Sequence, residues 1–164
     1  MSFAMSNELK EVAAWLQPEE IHLDANLRDC DDALDFIAQA IGTRHGLDPD
    51  PIFRALVRRE QAGSTALGGG FAMPHASIPG IERPLTLLVR TREPIPYKAS
   101  DQAPVSLLLA ILVPERGDRN VHLKLLALVA ELMSQPGFRS RLDLATEPVG
   151  AAKAFRDGLS ALQA

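Results

Sequence analysis

Cysteine is almost missing from this sequence. Cys30 is the one cysteine in 164 residues, which excludes an internal disulfide framework and a cysteine zinc site. No His-x-x-x-His or His-Glu-x-x-His pair occurs. A metal site therefore has no ligand pattern to stand on, and no metal or other cofactor is expected. A surplus of basic charge is lacking too. Lys and Arg number 17 against 21 Asp and Glu, for a formal charge of −4. Without a compensating basic patch, that balance argues against nucleic acid as a partner. No stretch approaches the roughly 20 apolar residues that a membrane-spanning helix needs. Residues 1–10 contain Glu8 and lack the charged-then-apolar order of a secretory signal. The expectation is a cytoplasmic protein without membrane insertion.

What is present is ordinary for a globular chain. Hydrophobic residues make up 46% and charged residues 23%, which excludes a disordered chain, a collagen and a coiled-coil rod. The 12 prolines and 11 glycines are scattered as punctuation. Neither an internal repeat nor a linker stands out. One domain over residues 1–164 is the expectation for this length.

Residues 7–16 place Leu9, Val12, Ala13 and Leu16 on one side of a short helix that Pro18 ends. Ile21 and Leu23 then alternate with polar neighbours as a short strand. Asp29 or Asp31 is positioned to cap a helix with Leu34, Ile37, Ala38 and Ile41 at helical spacing, stopped at Gly42 or Gly46. Asp50 followed by Pro51 signals the next helix start, and Gly63 its end. Phe71-Ala72-Met73 reads as a short buried strand broken at Pro74. The apolar runs 85–90 and 105–113 read as longer buried strands. Asp118 or Asn120 caps a helix to about Met133, with Val121, Leu125, Leu128, Val129 and Leu132 inward. Residues 138–142 and 149–162 suggest two more helices. The class is α/β, a small mixed β-sheet flanked by helices.

The densest signal is GSTALGGGFAMPHAS, residues 63–77. Pro74 fixes its own φ and biases Met73 to an extended shape, which holds His75 rigidly at a strand edge. The glycines let the backbone approach a ligand and expose N–H groups to an anion. On spacing alone the run also reads as a plain turn, and His75 as a structural histidine. The run is not a P-loop, because no Gly-Lys-Ser/Thr follows, and it lacks the Gly-x-Ser-x-Gly nucleophile elbow.

His122 is a second candidate, in the first turn of the predicted helix. A helix N-terminus favours anions and disfavours a protonated imidazole, so a neutral ring there is placed to donate to a phosphoryl oxygen. Arg59 is a third, since a guanidinium grips a phosphoryl group with two donors. Each has a bland counterpart as a solvated charge or surface histidine. His22 and His45 have no supporting neighbours and read as surface residues.

Together, Arg59-Glu60, Gly63-Ser64-Thr65 and Ala72-Met73-Pro74-His75 resemble the signature of the mannitol/fructose-type EIIA domains. These belong to the bacterial phosphoenolpyruvate-dependent phosphotransferase system. Leu112-Val113-Pro114 and Val121-His122-Leu123 fit the same family. The resemblance runs over a core of roughly residues 16–162 and implies a mixed β-sheet flanked by helices. It implies that His75 accepts a phosphoryl group from an HPr-like phosphocarrier protein, with His122 and Arg59 supporting the site. Within the family the chain is most similar to the nitrogen-related regulatory branch. The Arg-Glu-x-x-Gly-Ser-Thr spelling, the Leu-Val-Pro strand end and the helical lead before Ile21 carry that likeness. It departs from the branch at Ala76, where glycine is frequent, and at Lys124, where many members carry a second histidine.

The implied reaction is phosphoryl transfer between two histidines. A neutral His75 imidazole attacks phosphorus in line, and the step needs positioning and charge stabilisation more than covalent assistance. Ser64 or Thr65 is a candidate to orient the other ring nitrogen or a phosphoryl oxygen. Phe71, Met73 and Ile78 are candidates for an apolar rim around the histidine, Phe71 also for the core. Downstream, the phospho-state would control regulatory protein targets. One alternative is a sugar-uptake EIIA that passes phosphate to an EIIB cysteine. A second is a non-phosphorylated binding module.

Overall fold

The longest apolar run organises the fold. A computed structural model describes residues 7–98 and 101–162 of the chain. In it residues 105–114 form a strand whose side chains are buried at every position but Ser106. A strand that is apolar without alternation belongs inside a sheet, covered on both faces. The strands are β1 (Ile21–Ala25), β2 (Ala66–Gly68), β3 (Phe71–Ala72), β4 (His75–Ile78), β5 (Leu85–Ile95) and β6 (Val105–Pro114). The helices are α1 (Asn7–Ala13), α2 (Cys30–His45), α3 (Pro49–Ala62), α4 (Arg119–Met133), α5 (Pro136–Leu144) and α6 (Pro148–Leu162), with a 3-10 turn at Pro18–Glu20.

Among the described residues the sheet has six strands, ordered β1-β5-β6-β3-β2, with β4 also pairing β6. β5 runs antiparallel to β6, whereas β3 and β4 run parallel to it. This is the mixed α/β sheet with helices that the sequence pattern implies.

The chain divides into two compact units. Residues 22–117 hold the sheet together with α2 and α3. Their core includes Leu34, Ile37 and Ile41 from α2, Ile52 and Leu56 from α3, and Leu87, Val89, Leu108, Ala110 and Leu112 from the sheet. Asp29 caps α2, its side chain accepting from the Asp32 N–H, and Gly46 ends the helix in the left-handed conformation at φ 68°. Only glycine enters that conformation without steric cost. The other unit combines residues 1–21 with 118–164. There α1, α4, α5 and α6 bury Val12, Leu125, Val129, Leu132, Phe138, Leu142, Phe155 and Leu159. No helix of the described residues is long and apolar enough to cross a membrane.

Four local readings change. α1 ends at Ala13, before Pro18, and the Leu9 side chain lies outside the described residues. α3 begins one Asp-Pro pair earlier than expected: Asp48 is the cap and accepts from the Asp50 N–H, with Pro49 in the first turn. An earlier start costs no hydrogen bond, because the first four N–H groups of a helix have no intrahelical partner. Pro74 does not end the strand pairing either. β3 stops at Ala72, but the Pro74 carbonyl accepts from the Ile111 N–H at 2.9 Å, and β4 resumes at His75 opposite Ile111. Phe71, Met73 and Ile78 are 2%, 6% and 3% exposed, so all three are core and none forms an apolar rim.

Candidate functional site

β4 begins at His75, and α3 packs against that strand. The ring is half-buried. Its Nδ1 lies 2.9 Å from the Met73 carbonyl oxygen, and its Nε2 lies 3.3 Å from Arg59 Nε. The partners dictate the tautomer. A carbonyl only accepts, so Nδ1 carries the proton. A guanidinium only donates, so Nε2 presents its lone pair. Burial lowers the His75 pKa below 6.5, the nearby Arg59 charge lowers it further, and the Met73 hydrogen bond and Glu60 oppose them. The ring is neutral at neutral pH, with one nucleophilic nitrogen at a known place.

Arg59 sits in the last turn of α3. Besides facing His75, it donates from Nη1 to the Gly63 carbonyl at 2.7 Å. The side chain is thereby held at two of its three nitrogens, with donors left over on a planar group beside the histidine.

Glu60, one residue on, holds the corner that follows. Its carboxylate accepts from the Thr65 N–H at 2.8 Å, from the Thr65 hydroxyl at 2.5 Å and from the Tyr97 hydroxyl at 2.8 Å. Thr65 and Tyr97 are both buried, and their oxygens stand 3.0 Å apart. Burial pushes the Tyr97 phenol upward, so it stays protonated and donates. The Thr65 carbonyl accepts from the Met73 N–H at 3.0 Å. Thr65 thus faces Glu60 and Tyr97 with its hydroxyl, and it is Met73 that holds the second ring nitrogen. Ser64 is exposed, and its hydroxyl accepts from the Ala66 N–H.

The glycines at 68, 69 and 70 have φ of 87°, 65° and 81°. Three successive left-handed residues are accessible to glycine and strained for anything else. The N–H of Gly69 is occupied: it donates to the Asp101 carboxylate at 2.9 Å, and Asp101 also accepts from the Ala103 N–H. An anion does meet the glycine run, and it belongs to the chain itself.

His122 lies in the other unit, on the first turn of α4, half-buried, with its backbone N–H donating to the Asp118 carbonyl. Asp118 caps that helix, accepting from the Asn120 N–H. His22 is less simple than a surface residue. It packs edge-on against the Phe36 ring at 5.3 Å, and burial lowers its pKa. Cys30 is half-buried, and its thiol is pushed up to about 11, mainly by that burial. Among the described residues no group of three or more His, Cys, Asp and Glu is placed to hold a metal ion.

The mixed sheet and its helices, with a neutral histidine beside an arginine at the head of β4, make this an α/β domain with a histidine site. Comparison with known proteins assigns its family. The model of the phosphoenolpyruvate-dependent sugar phosphotransferase system EIIA 2 family matches residues 14–154, and the chain belongs to that family. Its relatives there include the nitrogen regulatory protein of Pseudomonas aeruginosa, 39% identical over 95 residues. That match spans 58% of this chain and 61% of the Pseudomonas protein, a little under two thirds of it. The nitrogen regulatory protein of Escherichia coli K12 is 35% identical over 111 residues, 67% of this chain and 68% of that one. Among solved structures, nitrogen regulatory protein IIA-Ntr from Neisseria meningitidis superposes with a TM-score of 0.82 at 29% identity, covering 88% of this chain and 98% of the other.

Proposed function

We propose that the chain is a phosphocarrier of the phosphotransferase system, of the nitrogen-regulatory kind, and that it takes a phosphoryl group on Nε2 of His75. The observation that carries the proposal is the pair of ring contacts, Nδ1 on the Met73 carbonyl and Nε2 facing Arg59. The donor is a phosphohistidine on an HPr-like protein. The Nε2 lone pair attacks phosphorus in line, a new N–P bond forms, and the N–P bond of the donor breaks with its electron pair staying on the donor ring. The His75 ring becomes cationic as it is phosphorylated. The Met73 carbonyl, already accepting from Nδ1–H, stabilises that developing charge.

Arg59 occupies the lone pair before transfer. In this reading its Nε passes from the ring nitrogen to a phosphoryl oxygen as the donor docks, while Nη1 stays anchored on Gly63. His122 is assigned to phosphoryl stabilisation by the family resemblance, and Thr65 to holding the corner rather than touching the phosphate. Phosphorylation adds about −1.5 to −2 charges at one point, by analogy with other phospho-residues, which is enough to admit or reject a docking protein. A cytoplasmic address and regulatory protein targets belong to the same proposal.

The test is incubation with phosphoenolpyruvate, the upstream phosphotransferase enzyme and an HPr-like carrier, followed by intact mass at neutral pH. One acid-labile phosphoryl group on the native chain, absent from His75→Ala, is expected. No gain with a demonstrably active relay refutes the proposal and favours a binding module. Onward transfer to an EIIB cysteine would instead mark a sugar-uptake EIIA.

A further inference from the structure

Both nitrogens of the His75 ring are held by groups that trace back to one short corner, residues 63–65. Met73, the Nδ1 acceptor, is held by its own N–H on the Thr65 carbonyl. Arg59, the Nε2 partner, is held by its Nη1 on the Gly63 carbonyl. The corner follows the end of α3, and Gly63 and Ser64 are exposed. It has one strong fixture. Glu60 takes the Thr65 N–H and hydroxyl on its two oxygens, and Tyr97, two residues past the end of β5, closes the carboxylate with its hydroxyl.

We infer that Glu60 is a positioning residue for His75: by pinning Thr65 it keeps the proton on Nδ1 and the lone pair on Nε2. The inference rests on the phosphocarrier reading only for its consequence in transfer; the tautomer is a property of the unphosphorylated chain. The geometry gives the reason. A chain of hydrogen bonds runs Glu60, Thr65, Met73, His75, each partner within 3.0 Å of the next. A carboxylate is the side chain suited to the head of that chain, because it accepts several bonds at once and donates none. Tyr97 stays a donor because burial keeps its phenol protonated. If the corner drifts, the Met73 carbonyl leaves Nδ1 and the two tautomers approach their intrinsic balance. A displacement on the order of 1 Å at a reacting group is enough to cost about 10²-fold in rate.

The experiment is nitrogen-15 spectroscopy of the imidazoles in the full chain at pH 7.5, without any phosphoryl donor, for native protein, Glu60→Met, Glu60→Gln and Tyr97→Phe. In the native chain His75 is expected in a single tautomer with Nε2 unprotonated. Methionine fills the space and leaves the Thr65 N–H without an acceptor, so Glu60→Met is expected to populate both tautomers and to slow phosphoryl acceptance about 10²-fold. Glutamine keeps an oxygen for that N–H, so Glu60→Gln is expected to restore most of both. Tyr97→Phe, which removes one donor and leaves Glu60 in place, is expected to shift the tautomer balance in the same direction by less. Should Glu60→Met fail to fold, Tyr97→Phe decides. An unchanged Nδ1–H tautomer in every folded variant overturns the inference, whatever happens to transfer. A tautomer shift in a chain whose native form accepts no phosphate supports the positioning role and refutes the phosphocarrier reading.

Discussion

Replacing Thr65 by valine tests the buried corner of the site through stability. Thr65 is 5% exposed, and its hydroxyl meets Glu60 and Tyr97. Two hydroxyl protons serve three close contacts, since the Thr65 and Tyr97 hydroxyls both donate to Glu60 and also lie 3.0 Å from each other. The contact between the hydroxyls therefore has no proton of its own, and valine removes one charge-assisted hydrogen bond rather than two. Such a bond contributes about 1.5–3 kcal/mol. Glu60 keeps the Thr65 N–H and the Tyr97 hydroxyl, and it is half-buried, so the penalty of an orphaned charge does not apply. The expected loss is at the lower end, about 1.5–2 kcal/mol. Thr65→Ser keeps the hydroxyl and deletes a methyl, for about 1 kcal/mol. Urea denaturation followed by far-UV circular dichroism measures both, provided the slopes with denaturant agree. A valine variant within about 0.5 kcal/mol of native, or a serine variant worse than the valine one, refutes the reasoning.

Three further predictions concern packing and pH. A Cβ at Gly158 would stand 2.6 Å from Phe138 Cδ1 and 2.9 Å from Leu132 Cδ1; Gly158→Ala gains about 1 kcal/mol of helix propensity and loses about 1–3 kcal/mol to overpacking, so thermal melting should show a net loss. Gly150 on the same helix has open space around its Cβ position, and Gly150→Ala should stabilise by about 0.5–1 kcal/mol; a loss there, or a gain at 158, contradicts the packing. The His75 pKa is held below 6.5 in the fold, so the unfolded chain binds more protons between that lowered value and 6.5. The contribution of this group to stability is therefore complete above about 6.5 and is lost as pH falls through the lowered value. Proton titration of His75 by NMR, with phosphoryl acceptance over the same range, should place the acid limb below 6.5; a midpoint above it contradicts the buried, arginine-facing ring.

The sequence made some elements legible because their causes are local. Asp29, Gly46 and Asp118 sit where oxygen caps and a left-handed stop belong, and α2 and α4 follow. The run 105–113, apolar without alternation and bounded by prolines, reads as a covered strand, and it is one. The doublet Asp48-Pro49-Asp50-Pro51 offers two equivalent starts, and the fold takes the earlier one, which lengthens the helix by about half a turn. β4 was hidden because Pro74 looks like a terminator, whereas its carbonyl, not its missing N–H, is what β6 uses. Arg59 and His75 are legible as residue types, but the hydrogen bond between them spans 16 positions. Glu60, read as no more than a neighbour of Arg59, joins residues 5 and 37 positions away. No periodicity or spacing reports such a carboxylate. An acidic residue beside a basic one at the end of a helix, followed by Ser-Thr, was the available signal.

The central claim is that Nε2 of His75 is the atom that receives the phosphoryl group. Long-range nitrogen-15 spectra of the chain after treatment with phosphoenolpyruvate and its relay test it most directly. The account predicts one phosphorylated imidazole, that of His75, with phosphorus on Nε2 and the proton retained on Nδ1. Phosphorus on Nδ1, or on His122, contradicts it.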